Sequence, residues 1–561
     1  MVGHKQRRLG HAEKPSARAR SHVESPLAVL LLKMWSTGEL SGPALQEIAK
    51  AAADSGCQGQ DVQRLAMLGA AGNSPQNIQR DLMALHFKDL KAPPVHTVET
   101  KIWGKDGDGQ KTLLQSKLPL LLPHEWMSMA KSFPDIKKDA PLVFALHGDA
   151  APHTETDSLL VVSLRSLTTK LSVSESQLLL FALPKSMISK ETLQPIWKIL
   201  CWSLEAMTKG RWPTKAPGNL PTYKVSNGGK PLMGWEKRAM VYCITGDLEW
   251  YSSEFHFPYA MENHPCPWCK CDMHDEIPVF DFRSSAKWRE TIRSAEEMNA
   301  KYKHPLFAVP GLNSQCIFLD PMHTIDLGVS MHVVGSVLWD LIEDEMVASN
   351  RPARCAAVNR LIVEAYNFLG TPSSKRVGVL KLTDIGDSTT EFPVLKHCKA
   401  RKVRYLVPAV KRLCEQFETT KYGEHRLKMI TALDDMPQLM DMKLYRFPAA
   451  LRDKFAQKIH SFLLQYSYMA KLSSQRGCLR YSMVQKHHLT SHLSWFTESC
   501  HPRCFWTYGS ESYMGHMVRI AKACVRGQSP PKAAESIMQK YRLSMHLILS
   551  GLMVLDEEGD D

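Results

Sequence analysis

The sequence predicts an α/β core: a small mixed sheet in the order strand, strand, strand, helix, strand, with a large, mainly helical insertion and an N-terminal helical region. Three observations predict it. Short apolar runs bounded by polar turns recur between residues 141 and 246. One amphipathic stretch, long enough for a crossover that brings two strands into parallel pairing, separates the third run from the fourth. From residue 283 to about 480 the apolar residues recur at three- and four-residue spacing instead.

In chain order, residues 1–25 are basic and polar ("MVGHKQRRLGHAEKPSARARSH"), expected to be disordered, and lack the apolar segment of a secretory signal. Such a tail suits nuclear import or phosphate contact as well as plain solvation. Residues 26–90 read as helices, "PLAVLLLKMWSTGEL", "GPALQEIAKAAADSG" and "DVQRLAMLGAAG", punctuated by Gly. Residues 91–140 read as mixed or linker, with turn signals in "KAPP" and "GKDGDGQ". The core is expected over 141–282. Its strands are "PLVFALHGD", "SLLVVSLRSL" and "SQLLLFALP"; then the helix "SKETLQPIWKILCWSLEAMTKG", closed by Lys-Gly, leads to "RAMVYCITGD". Residues 283–480 form the helical insertion, which includes "DPMHTIDLGVSMHVVGSVLWDLIEDEMVA". The chain returns to the core over 481–545 with the helix "YGSESYMGHMVRIAKACVRG", whose Tyr513, Met514, Met517, Ile520, Ala521 and Cys524 share a face. A helix end and acidic tail occupy 546–561, and no internal repeat is seen.

With 561 residues the chain is too long for one ordinary core. A formal charge of +13 favours a polyanionic partner, of which DNA is the expected one. No uninterrupted apolar run reaches the roughly eighteen residues of a membrane span, so no membrane partner is expected. Fourteen scattered cysteines and no secretory signal suggest a reducing compartment, with thiols free or metal-bound, and a protein that is not secreted.

Asp149 and Asp247 each follow a Gly at the end of a predicted strand, the edge where open α/β sheets gather ligands. Alone, either Gly-Asp reads more simply as a strand-ending turn. Together, on the first and fourth strands, they would lie side by side. Close carboxylates repel unless cations sit between them, and Mg²⁺ (or Mn²⁺) is the natural hard cation for oxygen ligands. Two such ions about 4 Å apart suit in-line phosphoryl displacement. This strand order is that of a ribonuclease H-like fold.

"LHGDAAPHT", "YCITGD" followed by "HPCPWC", "DPMHTIDLG", "LKHCKARKVRYLVPAV", "KHHLTSHL" and "YGSESYMG" together resemble the transposases of CACTA (En/Spm-type, Tnp2-like) DNA transposons. The resemblance covers roughly residues 140–545. It implies an Asp-Asp-Glu triad on a ribonuclease H-like core, with a helical insertion before the Glu. By motif, Asp149 is the first member, Asp247 the second and Glu511 of "GSESYMG" the third; Glu498 lies nearby. It also implies that the Asp-x-x-His of Asp320 and His323 is a signature of the core.

Cys266 and Cys269 have the spacing of half a zinc site. Cys271, His274 and the distant His323 are candidates to complete it for Zn²⁺, with His264 alongside; free core thiols are the plain alternative, but the three Cys and two His packed into "HPCPWCKCDMHD" tilt the reading toward metal. Asp320 could equally be a helix N-cap. His487, His488 and His492 form a second cluster in which His488 and His492 share a helix face; metal, DNA phosphate and packing are all open, with packing ahead. Lys396, Lys399, Arg401, Lys402 and Arg404 form a basic stretch suited to DNA backbone contact, or to a solvated helix face. Trp268 and Trp506 would suit base stacking, though core is the commoner fate.

The leading expectation is therefore a nuclear transposase-like strand transferase or nuclease, acting as a dimer or larger assembly to pair two DNA ends. Its rivals are a non-catalytic DNA-binding derivative and a zinc-stabilised helical interaction protein.

Overall fold

The structure, a computed structural model, describes residues 25–67, 92–129, 142–169, 172–274, 276–386, 391–442, 446–498, 500–525 and 528–550. The basic tail, residues 68–91, the stretch 130–141 and the acidic end lie outside the described residues.

Leu142–Pro152 (β3) is the strand on which the core is organised. It pairs antiparallel with Ser158–Ser166 (β4), which pairs antiparallel with Gln177–Pro184 (β5). On its other side β3 pairs in parallel with Ala239–Gly246 (β6), giving the order β5-β4-β3-β6. The protein is thus an α/β protein with a four-stranded mixed sheet. Every residue of β5 is buried, so it reads as a continuous apolar run rather than an alternation. The crossover helix, Lys190–Lys209, starts where Ser189 accepts from the Glu191 N–H (3.2 Å). It stops at Gly210, whose φ of +68° only glycine adopts cheaply.

Residues 92–129, within the stretch expected to be mixed or linker, hold more regular structure than their composition suggests. His96–Lys105 (β1) and Lys111–Leu120 (β2) form an antiparallel hairpin, and "KDGDGQ" is its turn, closed by the Gln110 N–H on Asp106 Oδ1 (2.8 Å). The hairpin hid because β2 is mostly exposed and its leucines fall at 113, 114, 118 and 120, so no regular alternation runs through it. The N-terminal helices run over Pro26–Ser36, Gly42–Asp54 and Gln60–Met67; the first packs on the C-terminal helix Pro530–Leu549.

Beyond residue 283 the described chain is chiefly helical. The long stretch Met322–Glu345 meets the length and apolarity of a membrane span, but lies largely inside the fold. At its far end Asp340 is fully buried and takes Arg480, Tyr481 and Tyr422 as partners, so its charge is matched by a guanidinium and hydroxyls. Helices Ala400–Gln416, Lys421–Met440 and Ala449–Gln475 complete this layer. Tyr508–Val525 then returns to pack against β3 and β4, with all six residues expected on its inner face buried.

Gly148 and Gly246 face each other across the parallel β3–β6 pair, and the ring of Trp250 lies against both. A Cβ at Gly148 would fall inside the indole; one at Gly246 would come within 2.5 Å of it and 2.6 Å of the Gly148 carbonyl. The two glycines are therefore a packing requirement. Gly148→Ala should cost about 3 kcal/mol by overpacking, read as a fall in the urea midpoint with unchanged slope.

Candidate functional site: a carboxylate edge and a Cys₂His₂ centre

Three segments run parallel and bring an aspartate to one edge of the sheet. β6 ends at Gly246, just before Asp247, whereas β3, expected to end at Asp149, runs on beside β4 to Pro152; it is its parallel pairing with β6 that stops at Gly148, so Asp149 and Asp247 both follow the last paired glycines. The segment leading to Asp320 adds to β6 through a parallel bridge between Ile244 and Ile317, and the Phe318 N–H donates to the Ile244 carbonyl (2.9 Å). Asp149 Oδ1 accepts from the Ala150 N–H (2.6 Å), and Asp247 Oδ1 caps its helix through the Trp250 N–H (2.6 Å). The second oxygen of each has no hydrogen-bond or ion-pair partner among the described residues. Burial, and then the charge of Asp247, push the Asp149 carboxyl up to about 7.

Asp320 is 1% exposed and saturated with donors. It accepts from the Met322 and His323 N–H groups (3.1 and 3.0 Å), the Thr507 N–H (3.0 Å) and the Thr507 hydroxyl (2.6 Å), and it holds His323 Nδ1 at 2.6 Å. It is both the cap and the anchor of the Asp-x-x-His unit. Burial works to raise Asp320, but its bond to His323 outweighs that and holds the carboxyl low. Burial likewise opposes the charge on His323, yet Asp320, with help from Asp149 and Asp247, raises it. Two neighbours carry no sequence signal. Lys486, bonded to the Leu327 carbonyl (2.9 Å), is lowered by burial and partly restored by Asp247 and Asp320. His147, one pleat before Asp149, is pushed down to about 3 mainly by burial, and its Nε2 is buried without a partner among the described residues.

Glu511 is exposed on the first turn of Tyr508–Val525, one turn beyond Thr507, whose carbonyl accepts its N–H (2.9 Å). No side-chain bond ties it to Asp149 or Asp247, and the largest charge effects on Asp149 come from Asp247, His323 and Asp320. Glu498 is also exposed, on a different turn.

The thiol pair closes differently from the expectation. Cys266, Cys269, His488 and His492 are all buried, and their ligand atoms lie within 4.8 Å of one another. Cys266 Sγ is 3.3 Å from His492 Nε2, Cys269 Sγ is 3.3 Å from His488 Nε2, and the two Nε2 atoms are 3.1 Å apart. Tetrahedral zinc bonds imply edges of about 3.6 Å for S–N and about 3.4 Å for N–N, so the cluster is slightly tighter than a filled site. His488 Nδ1–H donates to the Val279 carbonyl (2.7 Å), which leaves Nε2 as the free lone pair, the usual orientation of a metal-binding imidazole. Trp288 packs edge-on to both rings and Trp495 lies 4.1 Å from His492. The cluster can hold a metal such as zinc.

Of the other expected ligands, Cys271 is buried beside the pair but outside the cluster, and His274 is exposed. His323 is committed to Asp320 at the carboxylate edge. His487 turns away: its Nδ1 accepts from the Val484 N–H (3.1 Å) and its ring packs 4.2 Å from Tyr466. The signal that could have found the right set is the four-residue spacing of His488 and His492, which matches a two-residue thiol pair.

The basic stretch divides. Lys396 and Lys399 are exposed and Arg401 and Lys402 half-buried, while Arg404 is a structural residue, its side chain 9% exposed. Arg404 pairs with Asp326 (3.3 Å) and Asp441 (2.8 Å), donates to the Tyr508 hydroxyl (3.4 Å) and packs against Trp506. Burial pushes Asp326 up to about 6 even with that guanidinium beside it. Arg404→Ala strands a buried carboxylate and should destabilise by about 3–5 kcal/mol, read as a lower urea midpoint.

A comparison with models of known protein families finds no match, and one with curated proteins finds no significant match.

Proposed function

We propose that the protein is a divalent-cation-dependent DNA strand transferase or endonuclease of transposase type, built on a ribonuclease H-like core. The observation that carries this reading is the convergence of β3, β6 and the Ile317 segment on one edge, where each delivers an aspartate. The sheet order, with one parallel pair beside two antiparallel ones, supports it.

The residues fit a hard cation. Asp149 and Asp247 repel each other, and each keeps one oxygen without a partner among the described residues. They would hold Mg²⁺ or Mn²⁺, with exposed Glu511 as third ligand. Such a cation, when bound, neutralises charge on a phosphodiester and activates water or a DNA 3′-hydroxyl. The chain's own part is positional. Thr507 and the Met322 and His323 amides fix Asp320, which sets the His323 ring. His323 and Lys486 add positive charge to an otherwise acidic edge, favouring a phosphate there. Lys396 and Lys399 are exposed for backbone contact elsewhere.

The test is nicking of supercoiled plasmid with Mg²⁺ or Mn²⁺. Wild-type protein should nick, and Asp247→Asn should be slower by at least about 100-fold with unaltered DNA affinity. Wild-type protein that binds DNA yet leaves plasmid intact with either cation would reduce it to a DNA-binding derivative.

A further inference from the structure

A cavity of about 290 Å³ has one wall on the Cys-x-x-Cys segment of the Cys₂His₂ centre and another on the segment that leads to Asp320. Trp268, between Cys266 and Cys269, forms the first wall; Phe318, two residues before Asp320, forms the second. Phe496 joins them, its ring 5.6 Å from Trp268 and 5.2 Å from Phe318. Half-buried Trp495 completes the aromatic lining and is braced from behind by His492.

The polar groups at this cavity are unusual. Arg293 is anchored by its backbone N–H on the Trp268 carbonyl (2.9 Å), yet its guanidinium makes no hydrogen bond or ion pair with any described residue, and its Nε is shielded from solvent. Exposed Glu498 lines the same cavity without pairing to it. The charge of Arg293 acts on nearby Glu297, but its shielded Nε–H has no acceptor among the described residues, and an anionic group entering the cavity would supply one. An apolar ligand would need no cation here, and a bare anion would need no aromatic walls. A flat ring carrying hydrogen-bonding edges and linked to a phosphate uses both.

We propose that this cavity takes one unstacked nucleobase of a DNA strand, Trp495 stacking on its face, Glu498 accepting from its edge and Arg293 meeting an adjacent phosphate. The assignment rests on the reading of DNA as substrate. It deepens that reading by specifying a locally unpaired strand as the bound form.

The experiment measures affinity for a short single-stranded oligonucleotide and for a blunt duplex, with zinc-replete protein and no Mg²⁺. Trp495→Ala should weaken single-strand binding by about 10- to 100-fold and Trp495→Phe should restore most of it. Arg293→Ala, which touches no zinc ligand, should weaken binding and lower the salt slope by about one. Duplex affinity should change far less in each. Unchanged single-strand affinity and salt slope in Trp495→Ala and Arg293→Ala proteins that melt like wild type would overturn the assignment, as would wild-type protein that does not bind the single strand. The failures separate: protein that nicks plasmid while these variants bind normally refutes the base pocket alone, and pocket variants that lose single-strand binding in a protein that never nicks refute the nuclease alone.

Discussion

Cys269→Ser should cost the protein its metal and most of its folded stability together. The cluster joins positions 219 and 226 residues apart, so no local structure replaces the link. Without an ion, His492 Nε2–H can donate to His488 Nε2 at 3.1 Å, but that single buried hydrogen bond stands in for four metal–ligand bonds and leaves His492 Nδ1 without a partner among the described residues. Structural zinc contributes about 10–16 kcal/mol in zinc-finger peptides, against about 5–15 kcal/mol for a whole fold. Losing even part of it should lower the melting temperature by more than about 10 °C. Wild-type protein should carry one zinc per chain by elemental analysis, and cobalt substitution should give the visible absorption of a tetrahedral S₂N₂ site. His274→Ala should leave both metal content and melting temperature unchanged. Metal-free wild-type protein that melts no lower than the zinc-loaded form would show that the four side chains are only packed together.

Asp149→Asn should stabilise the cation-free protein at pH 8 while removing its response to Mg²⁺. Unfolded, this carboxyl titrates at its ordinary 3.8; folded, it titrates near 7. The folded state binds the proton more tightly, so the contribution to stability is complete below pH 4 and is lost as pH rises through 7. A shift of that size corresponds to a ceiling of about 4 kcal/mol, reduced by solvent screening because the group is partly exposed. Wild-type protein without divalent ions should therefore melt several degrees lower at pH 8 than at pH 5. His323, raised by Asp320, slopes the same way, so the asparagine variant isolates the share of Asp149. Added Mg²⁺ should recover the wild-type loss at pH 8 and leave the variant unmoved. A variant whose pH profile parallels wild type would remove Asp149 from the pair.

The strand order was legible because β3, β4, β5 and β6 are buried runs and the crossover helix has clear ends, Ser189 and Gly210. The pairing of Asp149 with Asp247 followed from that order. What stayed hidden is long-range. Nothing local tells Cys266 that His492 is its neighbour, and His323, as plausible a ligand by type, is taken by Asp320. Arg404 looks like the basic residues before it, and only the fold reveals that Asp326 and Tyr508 enclose it. Asp320 invited a choice between a helix cap and a partner of His323, and its geometry makes it both.

The separation of the thiol pair from its imidazoles also sets a schedule for synthesis. Chains elongate at about 5–20 residues per second, so Cys269 leaves the ribosome roughly 10–40 s before His488, the residue 219 positions later, can meet it. Through that interval the nascent thiols are open to oxidation or to a stray ion. Translation under oxidative stress should therefore yield a larger share of misassembled protein than the same insult applied after the chain is released.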